Sequence, residues 1–204
     1  MEASAFALWL DSALASFDYG VLRAVHAVQQ SGLDAVLGPL ARLLALLGKG
    51  GAGLILLGLA LLLWRRTRRY GVGVLVSLAV CGLLVNVLLK PWVARPRPYA
   101  DALSPLHRWW LEAGASLESD YSFPSGHSAA AMAAMTALFW LGERRCRAAA
   151  FLFAAAMALS RLYLVVHYPT DVLAGLLAGF LSGAAGVWLS RRLWDGPLRR
   201  IPGF

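Results

Sequence analysis

Three short stretches of this sequence carry side chains suited to phosphate chemistry. The first is Lys90-Pro91-Trp92-Val93-Ala94-Arg95-Pro96-Arg97-Pro98. Its prolines stop a helix and stiffen the chain leaving it, so its three cations sit on a rigid strap that suits a multiply charged anion. The second is Phe123-Pro124-Ser125-Gly126-His127-Ser128, which reads as the opening of a helix. Unpaired N–H groups and the positive end of the helix dipole favour phosphate there. Gly126 lets a ligand approach the backbone, and His127 can donate a proton. The third runs from Ser160-Arg161 to His167 and Asp171. A spacing of four across a Pro-containing turn puts the Asp171 carboxylate within reach of one imidazole nitrogen. That contact would fix the tautomer and leave the other nitrogen free to attack. Arg161 lies deeper and needs an anion to justify its desolvation.

Each stretch also has a plainer reading. The cations of the strap could snorkel to lipid phosphates, Pro124–His127 could be an N-cap with an incidental histidine, and His167 with Asp171 could staple two helices. Arg161 could pair with a buried carboxylate, although Asp171 is the only acid inside or adjoining the helix ends on that side. Together the stretches say more. Lys90, Arg97 and Arg161 supply positive charge, Ser125 and Gly126 supply hydrogen-bond donors, and two histidines supply a nucleophile and an acid. The set is poor in carboxylates and thiols, and its cations would repel a divalent ion. No metal and no cofactor is expected; the grouping suits phosphoryl transfer through a phosphohistidine. His26 and His107 have no such neighbours and receive no role.

The elements that must position these groups are membrane helices. Hydrophobic residues make up 59% of the 204 and charged residues only 15%, against roughly 25% charged in soluble domains. That excludes a water-soluble globule and a disordered chain. The net charge of +8 comes with too little polar surface for a nucleic-acid-binding domain. Apolar runs span 70–89, 172–190, 124–142, 148–168 and, more briefly, 50–64 with Arg65 and Arg66 snorkelling beyond it. The run 35–48, apolar except for Arg42, gives a sixth. Before it, Leu10, Leu14, Phe17 and Val21 fall at helical spacing with Asp11 and Asp18 off that stripe, which predicts an amphipathic N-terminal helix. The expected fold is an all-α integral membrane protein, a six-transmembrane-helix bundle forming one domain over 1–204. No cleavable leader is expected, and Cys81 and Cys146 read as free thiols.

Loops on one side hold 11 basic residues, among them Arg65, Arg66, Arg144, Arg145, Arg199 and Arg200, against 5 on the other. The richer side should be cytoplasmic. All three polar stretches then face the extracytoplasmic side of the cell membrane, and both termini lie inside.

The stretches match, in order and complete, the three-part signature K-x6-RP, PSGH and SR-x5-H-x3-D. In these motifs, over 90–171, the sequence resembles the type-2 phosphatidic acid phosphatase superfamily of membrane lipid phosphatases. The resemblance implies that His167 is the nucleophile, that Asp171 orients it, and that His127 protonates the leaving oxygen and then activates water. It implies that Lys90, Arg97, Arg161, Ser125 and the Gly126 N–H hold the phosphoryl oxygens. Arg95-Pro96 does not fit the spacing, so Arg95 is an accessory at most. The family's soluble relatives, the vanadium haloperoxidases, are set aside by the apolar runs. Small members commonly act on undecaprenyl diphosphate, giving undecaprenyl phosphate for cell wall biogenesis; others act on phosphatidylglycerol phosphate, phosphatidic acid or lipid A. The partner is therefore a lipid phosphate or diphosphate within the bilayer. Trp109, Trp110 and Leu111 could dip into the interface beside a lipid tail or simply anchor the loop. The rivals are a flippase that binds a lipid phosphate without cleaving it, and a catalytically dead scaffold. The first leaves the paired histidines and Asp171 unexplained, and an intact set of polar groups argues against the second.

Overall fold

The computed structural model describes residues 3–143 and 147–196. Among them are nine α-helices and no strand. They are α1 Ala5–Ala13, α2 Ala15–Gln29, α3 Asp34–Gly48, α4 Ala52–Leu62, α5 Arg68–Val93, α6 Pro105–Glu112, α7 Gly126–Leu141, α8 Arg147–Tyr163 and α9 Pro169–Asp195. Helix α5 widens to a π-helical stretch over Leu83–Leu89, just before Lys90.

The bundle is apolar outside and small inside. Leu56, Leu83, Leu152 and Leu177 are each more than 60% exposed, while Ala131, Ala133, Ala134 and Ala137 of α7 are fully buried. Small residues at helix contacts let backbones approach closely where hydrocarbon, not water, surrounds the protein. Helix α9 shows this most directly. A Cβ on Gly175 would lie 2.6 Å from the Ser125 carbonyl oxygen, and one on Gly179 would press still closer on that of Ala129. The ascending order of both numbers makes α7 and α9 parallel. Gly186 meets Ser77 and Gly73 lies near Ser190, so α5 runs antiparallel to both.

Three helical segments are long and apolar enough to cross a membrane: Asp34–Leu62, Arg68–Val93 and Pro169–Asp195. Helices α7 and α8, of 16 and 17 residues, pass beside them. By length and composition, these segments mark three of the expected six spans. The runs 35–48 and 50–64 predict two separate crossings. Instead, α3 begins at the level of Tyr163, whose hydroxyl donates to Asp34 Oδ1 at 2.6 Å, and α4 ends where Arg68 Nε donates to the Leu62 carbonyl at 3.0 Å. Between them the chain bends through Gly50 and Gly51, at φ 59° and 72°, values that glycine adopts without steric cost. Together α3 and α4 make one traverse of the bundle.

Ser4 Oγ donates to the Val93 carbonyl at 2.6 Å, at the end where Lys90 lies. Trp194 and Asp195 share a cleft with Arg69 and Leu141 at the opposite end. The described ends of the chain therefore lie at opposite ends of the bundle, not on one side. Cys81 is buried and free; Cys146, Arg144, Arg145, Arg199 and Arg200 lie outside the described residues.

The N-terminal stripe forms two helices rather than one. Leu10 packs inward, but so does Asp18, which is 2% exposed. Trp109 and Trp110 do not dip outward: both are buried, with Trp109 stacked on His26 and Trp110 on Tyr99, each at 4.4 Å between ring centroids. Leu111 alone of the three stays exposed.

Candidate active site

Helix α8 ends at Tyr163, five residues before the apolar run does. Val165 takes a left-handed φ of 53°, and its N–H donates to the Leu162 carbonyl at 2.9 Å. A β-branched residue resists this conformation, so packing must hold it, and Leu164, Val165 and Val166 are all buried. The turn swings His167 off the helix axis. Asp171 sits in the first turn of α9, where its Oδ2 accepts the Tyr168 N–H at 2.9 Å. The carboxylate thereby caps the helix that carries it.

The three stretches converge. His167 Nε2 lies 3.4 Å from Arg97 Nη1, and Arg97 Nη1 also donates to the Val166 carbonyl at 2.9 Å. Lys90 Nζ and Arg97 Nη2 both bond the carboxylate of Asp120. Lys90 also donates to the Tyr121 carbonyl at 2.9 Å. A cavity of about 580 Å³ is lined by Lys90, Arg97, Gly126, His127 and His167, and it continues to Leu78, Cys81, Val85 and Ile55. His127 Nε2 lies 3.3 Å from the Ala45 carbonyl. Arg161 is 1% exposed, with Nη1 3.8 Å from Glu118 and no hydrogen-bond partner at Nη2 among the described residues.

Two expectations need amendment. Ser125 is buried, and its hydroxyl accepts from Ser128 at 3.0 Å; it takes the N-cap position of α7 without joining the cavity wall. Asp171 and His167 approach to 3.7 Å at Oδ2 and Nδ1, too long for a hydrogen bond. Ser122 Oγ stands at both, 2.5 Å from Asp171 Oδ2 and 3.4 Å from His167 Nδ1.

Several site residues escaped the sequence reading. Arg95, by its spacing an accessory at most, bonds Asp171 at 2.6 Å, Thr170 at 2.8 Å, Asp18 at 2.9 Å and Asp11 at 2.7 Å. It also lies 3.9 Å from the centre of the Tyr168 ring. Asp171 is not the sole acid near the site's cations, because the loop brings Glu118 to Arg161 and Asp120 to Lys90 and Arg97. The sequence signal for these two acids was no more than their position just ahead of Pro124.

The electrostatics suit an anion. Burial and then the Arg97, Lys90 and Arg161 cations all lower the affinity of His167 for a second proton, well below the usual imidazole value. These causes favour the neutral ring over the imidazolium. Burial works to raise the Asp120 carboxyl, but Lys90 and Arg97 overcome it and bring it down to about 2. Burial likewise opposes the charge on Arg95, yet Asp171, Asp18 and Asp11 hold it above its ordinary value. Among the described residues no group of three or more His, Cys, Asp or Glu is placed to hold a metal ion.

The sequence model of the PAP2 superfamily matches residues 70–195. The chain belongs to this superfamily. It is 28% identical over 141 residues to an undecaprenyl-diphosphatase of Sulfolobus acidocaldarius, covering 69% of this chain and 64% of that protein. It is 35% identical over 108 residues to phosphatidylglycerophosphatase B of Bacillus subtilis, covering 48% of this chain and 47% of that one. The aligned part thus spans less than two thirds of either of these relatives. The crystal structure of a transmembrane PAP2 type phosphatidylglycerolphosphate phosphatase from Bacillus subtilis is similar at a TM-score of 0.64 and 28% identity, covering 96% of this chain and 95% of that one. The superfamily match takes in the whole of α5 beyond Arg69, both histidines of the cavity and all of α9.

Proposed function

We propose that this protein is a membrane lipid phosphatase that needs no metal and removes the terminal phosphate of a lipid diphosphate through a phosphohistidine at His167. The observation that carries the reading is the cavity itself. Its wall holds two histidines with Lys90 and Arg97, and also the apolar side chains of Leu78, Val85 and Ile55. Such a cavity takes a phosphorylated headgroup and the first part of its apolar tail together.

His167 Nε2 attacks the terminal phosphorus, and His127 gives a proton to the leaving oxygen. His127 then takes a proton from the water that hydrolyses the N–P bond. Lys90, Arg97, Arg161 and the Gly126 N–H neutralise charge on the phosphoryl oxygens, and Asp171 holds the nucleophile through its neighbours. The substrate we favour is undecaprenyl diphosphate, giving undecaprenyl phosphate. The name of one relative supports it, and a second phosphate would find Lys49 on the same cavity wall. Phosphatidylglycerol phosphate is the alternative that the other relatives' names support.

The site faces the extracytoplasmic side in this reading. Lys90, Arg95, Arg97 and Arg161 are buried, with acids beside them, while Arg65, Arg66, Arg191 and Arg192 at the opposite end are exposed. These four arginines lie together away from the site, as basic residues do in cytoplasmic loops, while Arg23, Arg42, Lys49 and Arg108 are exposed elsewhere.

The test is phosphate release by detergent-purified protein in EDTA from undecaprenyl diphosphate, phosphatidylglycerol phosphate and phosphatidic acid. The wild type should turn over the diphosphate fastest, and His167→Ala should release nothing. Equal release by both would remove His167 from the chemistry, and release from none of the three by the wild type would leave binding or transport.

A further inference from the structure

The nucleophile proposed above and the carboxylate assigned to orient it do not touch. What stands at both is Ser122, a loop residue that is fully buried. Its N–H donates to the Arg95 carbonyl at 2.9 Å, which fixes its backbone. Its hydroxyl lies 2.5 Å from Asp171 Oδ2 and 3.4 Å from His167 Nδ1.

We infer that Ser122 is the positioning residue that couples Asp171 to His167 and sets the tautomer of the nucleophile, a role that rests on His167 acting as proposed above. Asp171 faces groups that can only donate: Arg95 Nη1 at Oδ1 and the Tyr168 N–H at Oδ2. A carboxylate so placed accepts from Ser122 as well. A hydroxyl has one proton, and that proton goes to Asp171. Toward His167, Ser122 has only lone pairs left. Nδ1 must then carry the hydrogen, which leaves the lone pair on Nε2, the nitrogen beside Arg97 on the cavity side.

No proton crosses this link during the reaction. The Nε2 lone pair forms the N–P bond, the P–O bond to the leaving group breaks, and the departing oxygen takes its proton from His127. The imidazole becomes cationic, so Nδ1–H becomes a stronger donor and draws Ser122 closer. When water attacks phosphorus, the N–P electron pair returns to Nε2 and the ring is neutral again. Ser122 thus stabilises the ring most when it is charged, which is a transition-state effect and not a binding effect.

The experiment uses the full chain in detergent and follows kcat, KM and the single-turnover formation of acid-labile phosphoenzyme. Ser122→Ala should lower kcat and phosphoenzyme formation roughly 100-fold, as expected when a reacting group loses its placement, with KM changed less than about threefold. Ser122→Thr, which keeps the hydroxyl, should recover most of that loss if it folds; a thermal midpoint measurement decides whether it does. The combination with Asp171→Asn provides the independent check. If Ser122 works through Asp171, the double variant is no slower than Asp171→Asn alone. A Ser122→Ala enzyme with the wild-type phosphoenzyme rate overturns the inference, and so do fully multiplicative losses in the double variant. An active His167→Ala enzyme would instead strike the underlying reading.

Discussion

Arg95 Nη1 lies 2.6 Å from Asp171 Oδ1, and both side chains are withdrawn from solvent. The same guanidinium reaches Asp18 and Asp11 of the N-terminal helices. One buried cation therefore ties the N-terminal helices to the carboxylate beside His167. Removing one member of a buried ionic group leaves the others uncompensated and costs about 3–5 kcal/mol. Arg95→Met should accordingly lower Tm in detergent far more than Asp11→Asn, since Asp11 is 38% exposed and water can replace its contact for roughly 1 kcal/mol or less. Thermal melts of the two variants side by side check this. Equal shifts would mean that Arg95 is not the centre of the network.

Asp120 occupies the cations that a phosphoryl group would need. It bonds Lys90 and Arg97 together, and its side chain is half exposed. A folded carboxyl at about 2, below its ordinary 3.8, contributes stability that is whole above about pH 4 and is lost as pH falls through the folded value. Across the neutral range Asp120 stays charged, so an anionic substrate would have to compete with it for both cations. A half-exposed pair of this kind is worth roughly 0.2–1 kcal/mol. Asp120→Asn should then tighten binding of inorganic phosphate, read as a competitive inhibition constant, by up to about fivefold. A weaker phosphate inhibition in the variant would show that Asp120 orders the strap instead of blocking it.

The contrast between Lys90, Arg97, His127 and His167, which were legible, and Ser122, Asp120 and Arg95, which were not, has a physical origin. The first group sits in short stretches where residue type, proline and glycine declare local chemistry. The second group acquires its role from partners far along the chain. Ser122 meets Asp171 across 49 residues, Asp120 meets Lys90 across 30, and Arg95 meets Asp171 across 76. A loop without periodicity gives no sign of where it will fold back. The fold divides in the same way. Apolar run length showed which segments are helical. It could not show that α3 and α4 share one traverse, because that depends on the direction of the bend at Gly50 and Gly51.

The small-residue face of α9 should be intolerant of even one methyl group. A Cβ on Gly179 would collide with the Ala129 carbonyl oxygen, backbone that cannot rotate away. Gly179→Ala must push α7 from α9, at a cost of about 1–3 kcal/mol. Gly20 of α2 has nothing within 4 Å of such a Cβ, so Gly20→Ala should be neutral or stabilising by up to about 1 kcal/mol through helix propensity. Melting curves of opposite sign are the expected outcome, and a Gly179→Ala protein as stable as the wild type would refute the tight α7–α9 contact.

His127 can be tested by separating the two steps proposed for it. If it protonates the leaving oxygen, its removal should hurt an alkyl phosphate, whose alkoxide leaves poorly, far more than an aryl phosphate with an acidic phenol. General acid catalysis is worth roughly 10²–10⁴-fold, and most of that loss should vanish from the first step with p-nitrophenyl phosphate. The second step still needs a base to activate water. His127→Ala should therefore accumulate phosphoenzyme from the aryl ester, seen as a burst of nitrophenolate followed by slow turnover. Gly48→Ala probes the same ring without touching its chemistry, because a Cβ there would lie 2.5 Å from His127 Cδ2. Displacing the imidazole in this way should reproduce the leaving-group dependence in milder form. Equal losses on the alkyl and aryl esters, with no burst, would mean that His127 holds the phosphate and does not move protons.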